Sequence, residues 1–475
     1  MKSTFRGDIV MKPSKFNLFI PIKGSNLTLG FNCVSGGLAQ FSNDEVKLIK
    51  RAFSDHNCGG TLARLSVDLK EVLTKGRFVI PDHENEIQLL RQLNYKGRFK
   101  SNHLSLTIAP TLRCNFRCQY CWEQHKKVDM TPEIEDCLVS WVHKKLGSLK
   151  RLFVTWFGGE PLMQKKTILG LSEKFLSLCS QLKIPYSAKM VSNGYLLNRN
   201  TAMQLKDVKV SEVQITIDGP EWIHDRRRRL KNGKGTFLRI VENIEEIHDL
   251  VRIIVRVNID RTNLYYVPEL IDFFVTNDLH KKVFLYFGHV MPFSDICVGM
   301  QGDCLNVEKF AQHEAFLSLE LIERGFISGK YARPKRGFCM ADSATGWVIA
   351  PDGKVLKCWN ELGTCNAAAV DDVVYGQTEK MCLTLEKWLN WDPFEKQGCR
   401  NCDILPICMG GCPYLSFRFP DEKHGFCSTW KYNLYETLLL TYLRYEKKKD
   451  LGAISRIIHE IISETIMEEK NQKYE

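Results

Sequence analysis

Cysteine spacing is the feature that most limits how this chain can fold. Of its 18 cysteines, ten fall into two groups with short, regular spacings. The N-terminus is basic, but its apolar run at residues 18–22 is too short for a secretion signal, so we expect a cytoplasmic protein. In a reducing cytoplasm, grouped cysteines are more often metal ligands than disulfides. We therefore expect the cysteine-rich segments to fold around metal rather than around an apolar core.

The overall composition is that of an ordinary globular protein, with 44% hydrophobic and 25% charged residues. At roughly 150 residues per domain, a chain of 475 residues has room for about three units. No apolar run approaches the ~18 residues of a membrane-spanning helix, so we expect no membrane partner. The net charge of +11 is compatible with nucleic acid or an acidic peptide and demands neither.

Strand-like apolar runs alternate with helical patterns throughout residues 101–330. Thr131 and Pro132 mark the start of the first helix, as N-cap and first helical residue. Six such units predict an α/β fold, a partial (β/α)6 TIM-type barrel, whose chemistry lies at the carboxyl ends of its strands. The predicted strands are 104–109, 152–157, 188–192, 213–217, 253–259 and 283–287.

Residues 1–100 predict a separate N-terminal domain. Two strand-like runs, at 16–20 and 27–31, flank a turn, and three helical stretches and a short strand at 78–80 follow. This order is winged-helix-like, and a plain α+β cap is the alternative.

The C-terminal part of the chain divides in two. Residues 331–430 are rich in Cys, Gly and Pro and lack the periodicity of a core-forming domain. Residues 431–475 are predicted to form helices. An amphipathic stripe at 454–462 is expected to pack on the domain surface rather than on a partner.

The first cysteine group is Cys114-x3-Cys118-x2-Cys121, directly after the first predicted barrel strand. A structural zinc site requires four ligands. An iron–sulfur cubane held by three thiolates leaves one iron open to another ligand. The spacing favours the cubane over zinc or free thiols.

This loop resembles the cluster-binding loop of the radical S-adenosylmethionine (SAM) enzymes, and the resemblance covers at least residues 104–290. It implies that the open iron is chelated by SAM. It also implies that cleavage of SAM yields a 5′-deoxyadenosyl radical, which takes a hydrogen atom from the substrate. The implied cofactors are SAM and a [4Fe–4S] cluster, and the implied electron donor is a flavodoxin or ferredoxin.

Motifs at the following strand ends match the same family. The run from Phe157 to Pro161 resembles the GGEP motif that contacts the methionine ammonium of SAM. Alone, each motif could be a turn or a satisfied buried polar group. In register with the cysteine loop, they imply that SAM is bound by Tyr120, Gly158, Gly159, Glu160, Ser192, Asn193, Thr216, Asp218 and Arg256, with Asn258 beside Arg256.

The second group contains seven cysteines and resembles the SPASM extension of radical SAM enzymes. That resemblance implies two auxiliary [4Fe–4S] clusters, and a zinc ribbon is the alternative. One cluster would be held by Cys399, Cys402, Cys408 and Cys427. The other would be held by Cys339, Cys358 and Cys412, with an open iron or a fourth ligand from Cys304, Cys297 or Cys365.

The resemblance also predicts the function. SPASM proteins mostly modify peptides or proteins, and the N-terminal domain resembles the leader-binding domains of peptide maturases. Residues 357–363 resemble maturases that form thioether bridges. We therefore predict an enzyme that installs thioether or C–C cross-links in a ribosomally made precursor peptide bound through its leader. Glu361 is the candidate base, and a surface carboxylate without a chemical role is the alternative.

Other functions stay open at this point. The main one is an anaerobic sulfatase-maturating enzyme, which generates formylglycine. Enzymes of that kind carry an Asp base directly after the cysteine that corresponds to Cys358, whereas this chain has Trp359 there. Small-molecule chemistry such as carbohydrate dehydrogenation is another. A zinc-rich nucleic-acid-binding protein is the non-enzymatic alternative, supported mainly by the arginines at 226–229.

Overall fold

The computed structural model describes residues 10–54, 62, 64–99, 102–123, 125–147, 149–291, 302–327, 329–363, 368–370, 385–419 and 427–446. The predicted stripe at 454–462 lies outside these residues, and so do Cys297 and Cys365. In the described part of the chain, no helix is long and apolar enough to cross a membrane.

The N-terminal residues form a small α+β unit. Its elements are β1 (Met11–Pro13), β2 (Asn17–Pro21), β3 (Leu27–Asn32), β4 (Gly37–Ser42), α1 (Asn43–Ser54), α2 (Val67–Lys75), β5 (Val79–Pro81) and α3 (Glu86–Phe99). Strands β2, β3 and β4 pair in antiparallel order, and β1 pairs with β5. The strands near 16–20, 27–31 and 78–80 are therefore present, and β4 is an additional strand that the sequence pattern did not predict. The winged-helix comparison stays a prediction.

Helix α1 begins where Ser42 and Glu45 bond reciprocally. The Ser42 hydroxyl accepts from the Glu45 backbone N–H at 3.2 Å, and the Glu45 carboxylate accepts from the Ser42 backbone N–H at 2.7 Å. Each residue thus satisfies a backbone donor that a helix start leaves free.

The central unit is a parallel sheet with helices between its strands. Its strands are β6 (Leu104–Ile108), β8 (Leu152–Trp156), β9 (Tyr186–Ser192), β10 (Val210–Thr216), β12 (Arg252–Ile259) and β13 (Val283–His289). Its helices are α4 (Pro132–Leu146), α5 (Lys165–Gln181), α6 (Arg199–Asp207), α7 (Glu221–Arg227), α8 (Phe237–Ile247) and α9 (Val267–Thr276). The six strands pair in chain order, so the predicted partial barrel is confirmed. A short ribbon pairs β7 (Phe116–Cys118) with β11 (Arg228–Leu230).

The strand pattern explains how the barrel separates core from site. In β12, Ile253, Val255 and Val257 are buried in the main apolar core, while the alternate residues Arg256 and Asn258 are only partly buried. Because successive side chains of a strand point to opposite faces, these two polar residues lie on the face away from the helices.

The C-terminal residues extend the barrel sheet and do not form a detached domain. Their elements are α10 (Val307–Glu323), β14 (Gly346–Ile349), β15 (Lys354–Leu356), β16 (Ala368–Ala369), α11 (Gln397–Arg400), α12 (Leu405–Cys408), α13 (Pro413–Arg418) and α14 (Trp430–Glu446). Strand β14 pairs in parallel with β6, and β15 and β16 follow antiparallel. The sequence pattern missed β14 because a run of four residues among turn signals has no visible period.

The two ends of the described chain share one apolar core. Phe16, Ile20 and Phe31 of the N-terminal unit belong to the same buried cluster as Leu319 of α10 and Leu438 of α14. The N-terminal unit is therefore anchored to the C-terminal helix and to the barrel-flanking helix α10.

Arg98 links the N-terminal unit to the cysteine-rich segment. Its side chain is buried, and it donates to the carbonyls of Asp342, at 2.8 Å, and Trp391, at 2.7 Å. It also donates to the carbonyls of Trp388 and Leu389. The Asp342 carboxylate lies 3.7 Å from the guanidinium. One arginine thus joins α3 to two separate segments of the C-terminal region.

We predict that Arg98→Met lowers the free energy of unfolding by about 3–5 kcal/mol, because it leaves the buried Asp342 carboxylate without its cation and several carbonyls without a donor. Urea unfolding followed by tryptophan fluorescence measures this loss. Arg91→Met on the same helix is the matched control: its partners Asp392 and Glu395 are reached from a partly exposed side chain, so about 1 kcal/mol or less is expected. Equal losses for the two variants would contradict the linking role of Arg98.

Candidate active site

The first cysteine group lies in the loop that follows β6. The β7–β11 ribbon places Cys118 opposite Arg228. The Cys114 sulfur accepts from the backbone N–H of Phe116 at 3.4 Å. The Cys121 sulfur lies 3.3 Å from Nε2 of His125. The loop is therefore ordered by backbone pairing and by polar contacts to two of its sulfurs.

Burial raises the pKa of all three thiols, and that of Cys114 reaches about 12. Neighbouring thiols add to the effect, since Cys118 raises the pKa of both Cys114 and Cys121. Three partly buried thiolates side by side are costly without a cation, and iron binding offsets that cost. The donor set therefore fits a cluster held by three thiolates. Within the described residues, no three Cys, His, Asp or Glu side chains converge on a single-ion site, which a cubane does not require because each thiolate binds its own iron.

Glu160 connects the ends of β8 and β9. It is fully buried, and its carboxylate accepts from the Ser192 hydroxyl at 2.9 Å, from the Asn193 N–H at 2.7 Å and from the Leu162 N–H at 3.0 Å. Burial raises the pKa of Glu160, while these hydrogen bonds oppose the rise. No cation lies within ion-pair distance of it among the described residues, and Oε2 keeps a free acceptor site. A ligand ammonium would supply the missing charge, as predicted for SAM.

The two glycines before Glu160 allow two loops to pack against each other. Gly158 has φ of +122°, and a Cβ there would lie 2.4 Å from the Thr111 carbonyl oxygen. A Cβ on Gly159 would lie 2.3 Å from the Arg113 carbonyl oxygen. The glycines therefore allow the loop that carries Glu160 to pack closely against the cysteine loop. The sequence analysis assigned them only to SAM binding and did not predict this packing role.

Tyr120 and Asp218 belong to one buried polar network. The Tyr120 hydroxyl donates to the Asp218 carboxylate and accepts from Asn258 at 3.1 Å. Asp218 also accepts from the backbone N–H of Asn258 at 3.1 Å and from Arg227 at 3.5 Å. The Arg228 guanidinium donates to the Tyr120 hydroxyl. Asp218 thus holds the cysteine loop against the end of β12, and its contact with a cofactor stays a prediction.

The same network removes the main support for a nucleic-acid-binding surface. Arg227 and Arg228 are buried, and Arg227 pairs with Asp260 at 2.9 Å. Half of the arginine run therefore serves the interior of the protein.

Ser192, Asn193, Thr216 and Arg256 also lie around this end of the sheet. Asn193 donates to Asn115 in the cysteine loop at 2.7 Å. Thr216 and Arg256 are paired residues of β10 and β12, and the Arg256 Nε donates to Asn258 at 2.7 Å. A cavity of about 780 Å³ opens beside the loop, and Cys114, Asn115, Arg117, His125 and Met163 line part of it.

The second group of cysteines falls into two sets in space. Burial raises the pKa of Cys358, and Cys339 and Cys412 raise it further. In the other set, burial raises the pKa of Cys399 to about 11, and its neighbours add to the rise. These neighbours are Cys408, Cys427 and Cys402. The structure therefore brings together the two sets of cysteines that the SPASM resemblance implies, and ligation of two clusters stays a prediction.

Lys357 and Glu123 are two buried groups that the sequence analysis did not select. Lys357 is fully buried, and its ammonium donates to the carbonyls of Ser343 and Gly346. Burial lowers the pKa of Lys357 to about 7. Burial also raises the pKa of Glu123, beside Cys121, to about 8, and its Oε2 has no hydrogen-bond partner among the described residues. The sequence signal that could have identified them is their position: Lys357 directly precedes Cys358, and Glu123 is two residues after Cys121.

Glu361, the candidate base, is held by Lys387. The Lys387 ammonium lies 2.7 Å from the Glu361 carboxylate, whose side chain is 14% exposed. Nearby, the Trp359 ring stacks on Phe157, with 5.2 Å between ring centroids. The position of the sulfatase-maturase base is thus occupied by a stacked aromatic ring.

Comparison with known proteins identifies the class. Residues 108–274 match the family model of the radical SAM superfamily. The cysteine loop, the Glu160 turn and the parallel strands all lie within or directly beside that span. The chain therefore carries a radical SAM domain, and the family implies a [4Fe–4S] cluster and SAM as its cofactors.

Relatives differ in how much of the chain they cover. Fe-coproporphyrin III synthase of Methanosarcina barkeri is 28% identical over 34% of this chain and 38% of its own length. The cysteine-type anaerobic sulfatase-maturating enzyme of Clostridium novyi is 23% identical over 69% of this chain and 93% of its own. The radical SAM cyclopropyl synthase TigE of Paramaledivibacter caminithermalis is 25% identical over 88% of this chain and 92% of its own. The chain thus spans less than half of the first of these relatives and nearly all of the other two.

Solved structures share the fold. The anSMEcpe enzyme with bound AdoMet and Cp18Cys peptide has a TM-score of 0.54 at 20% identity, covering 72% of this chain and 98% of that one. Streptococcus suis SuiB bound to precursor peptide SuiA has a TM-score of 0.50 at 14% identity, covering 88% and 98%.

We predict about twelve iron and twelve sulfide per chain after anaerobic reconstitution, from three cubanes. Replacing Cys114, Cys118 and Cys121 together by Ala should leave about eight of each, because the other cysteine sets lie elsewhere. Cys179→Ala is the matched control, since that thiol is buried among apolar residues and should not change the count. About four iron in the unchanged chain, with zinc making up the rest, would contradict the two auxiliary clusters.

We predict that Glu160→Gln weakens SAM binding roughly 10- to 100-fold, the value of a hydrogen bond to a charged group. In the unchanged chain, affinity should fall as pH is lowered through the raised pKa of Glu160, because protonation removes the charge that meets the ammonium. Equilibrium binding across pH measures both effects, and the Gln variant should lose this pH dependence. Glu212→Gln, near the start of β10 and paired with Arg252, is the control. Unchanged affinity in Glu160→Gln would contradict the assignment.

Proposed function

We propose that this protein is a radical SAM peptide maturase that installs thioether or C–C cross-links in a ribosomally made precursor peptide. The observation that carries the proposal is the joining of the second cysteine group to the radical SAM barrel through the β14–β6 pairing. A substrate at the strand ends then lies near both cysteine groups. The near full-length similarity to TigE and the peptide-bound relatives SuiB and anSMEcpe support the same class.

The chain's own residues prepare the site. Ser192 and Asn193 donate hydrogen bonds to the Glu160 carboxylate, and these bonds favour its charged form and fix its orientation. The carboxylate can therefore receive an ammonium without rearrangement. The Tyr120–Asp218 network fixes the cysteine loop against β12. When bound, SAM and the iron–sulfur cluster supply the radical chemistry. Arg256, which donates to Asn258 on β12, is the proposed SAM contact from this strand.

Sulfatase maturation is the second candidate, supported by the relative from Clostridium novyi. It requires a base near the substrate. Trp359 occupies the relevant position, and Glu361 is engaged by Lys387. These contacts favour cross-linking over formylglycine formation.

We propose that the leader binds the sheet of β2, β3 and β4, either as an added strand or in a groove. Both β2 and β4 are edge strands of this sheet. Removing the unit by truncation would also remove Phe16, Ile20 and Phe31 from the shared core, so a truncated enzyme would fail for structural reasons. A leader-binding test therefore needs the whole chain.

We predict that co-expression with the true precursor lowers the peptide mass by two hydrogens per bridge, because one C–H and one S–H bond are replaced by one C–S bond. Mass spectrometry measures the change, and the Cys114/Cys118/Cys121→Ala variant is the control.

An added leader peptide should slow hydrogen exchange of backbone amides in residues 17–42. An unchanged peptide mass contradicts cross-linking, and a gain in protection elsewhere contradicts the docking surface.

A further inference from the structure

Three aromatic rings form a column between the two cysteine groups. Trp122 stacks on Phe157 with 6.3 Å between centroids and 15° between planes. Phe157 stacks on Trp359 at 5.2 Å and 18°. Phe157 therefore stacks with both tryptophans, and the three residues, which come from three distant segments, are here called the aromatic column.

Each ring of the column is close in sequence to a residue of the proposed site. Trp122 directly follows Cys121, Phe157 stands three residues before Glu160, and Trp359 directly follows Cys358. A backbone shift that displaces one of these rings therefore also displaces the neighbouring Cys121, Glu160 or Cys358. The column links three parts of the site in one stack: the first cysteine loop, the turn that carries Glu160, and the loop that carries Cys358.

The surroundings support the column as a fixed contact. Trp122 and Phe157 pack on a buried apolar cluster that includes Leu112 and Leu362. The Lys126 ammonium donates to the Gly363 carbonyl at 3.0 Å, which ties the same two loops together. Trp359 keeps 41% of its surface exposed, so its position depends on the stack more than on burial.

We propose that the aromatic column is a positioning element, which sets the place of the Cys358 loop relative to Cys121 and Glu160 and so couples SAM cleavage to substrate modification. The inference rests on the proposed function. Stacked aromatic pairs contribute beyond their buried area, and planar rings limit the relative rotation of the segments that carry them. A carboxylate at 359 could not stack, so this position serves either as part of the column or as a base.

The first test is hydrogen exchange of the reconstituted full-length chain, measured by mass spectrometry. Trp359→Leu should speed exchange about 2- to 10-fold in three segments, 120–123, 156–160 and 358–363, the factor that corresponds to loss of one aromatic pair. Trp359→Phe keeps a ring and should remain close to the unchanged chain. Trp222→Leu is the matched control: Trp222 is 50% exposed and contacts Tyr266 at a separate place. Faster exchange confined to 358–363 would overturn the proposal.

The second test measures the ratio of 5′-deoxyadenosine formed to peptide modified. Trp359→Leu should raise this ratio about 2- to 10-fold, with Trp359→Phe restoring it. An unchanged ratio alongside faster exchange would make the column merely structural and overturn its positioning role. If the unchanged enzyme modifies no peptide, the proposed function fails, while the exchange experiment still decides whether the column joins the loops.

Discussion

The parallel pairing of β14 with β6 is the contact on which the arrangement of the site depends. Four residue pairs, from Gly346 with Ser105 to Ile349 with Ile108, close the edge that β6 would otherwise expose. Trp347 packs edge-on against Trp141 of α4, and Lys357 donates to carbonyls on both sides of the strand start. The cysteine-rich segment is therefore built onto the barrel sheet, and both cysteine groups share one scaffold.

Sequence periodicity predicted the barrel because its strands are long, apolar and regularly separated by helices. The predicted strands differ from the observed ones by at most a few residues at each end. Strands β4 and β14, of six and four residues, were missed because neither run shows a clear alternation of apolar and polar residues. The domain boundary at residue 330 stays a prediction, and β14, which lies beyond it, joins the same sheet as β6.

The candidate site also has one part that the sequence predicted and one part that it did not. The resemblance to SPASM proteins divided the seven later cysteines into the two sets that lie together in space, although Cys358 and Cys412 are far apart in the sequence. The polar network could not be read from the sequence, because Tyr120 and Asp218 are 98 residues apart and meet only through the fold. Arg98 is a similar case: its carbonyl partners near Trp388 and Trp391 are about 290 residues away. Buried charges of this kind are costly unless fully bonded, so they appear where the structure must hold one geometry.

The core shared by Phe16, Phe31 and Leu438 has a consequence for how the protein is made. The N-terminal sheet leaves the ribosome long before its packing partner α14 exists. At about 5–20 residues per second, the interval is roughly 20–90 seconds. During that time the apolar residues of this sheet lack their partners on α14. This core can close only once Leu438 has been synthesised, so the N-terminal unit completes its packing late in the synthesis of the chain.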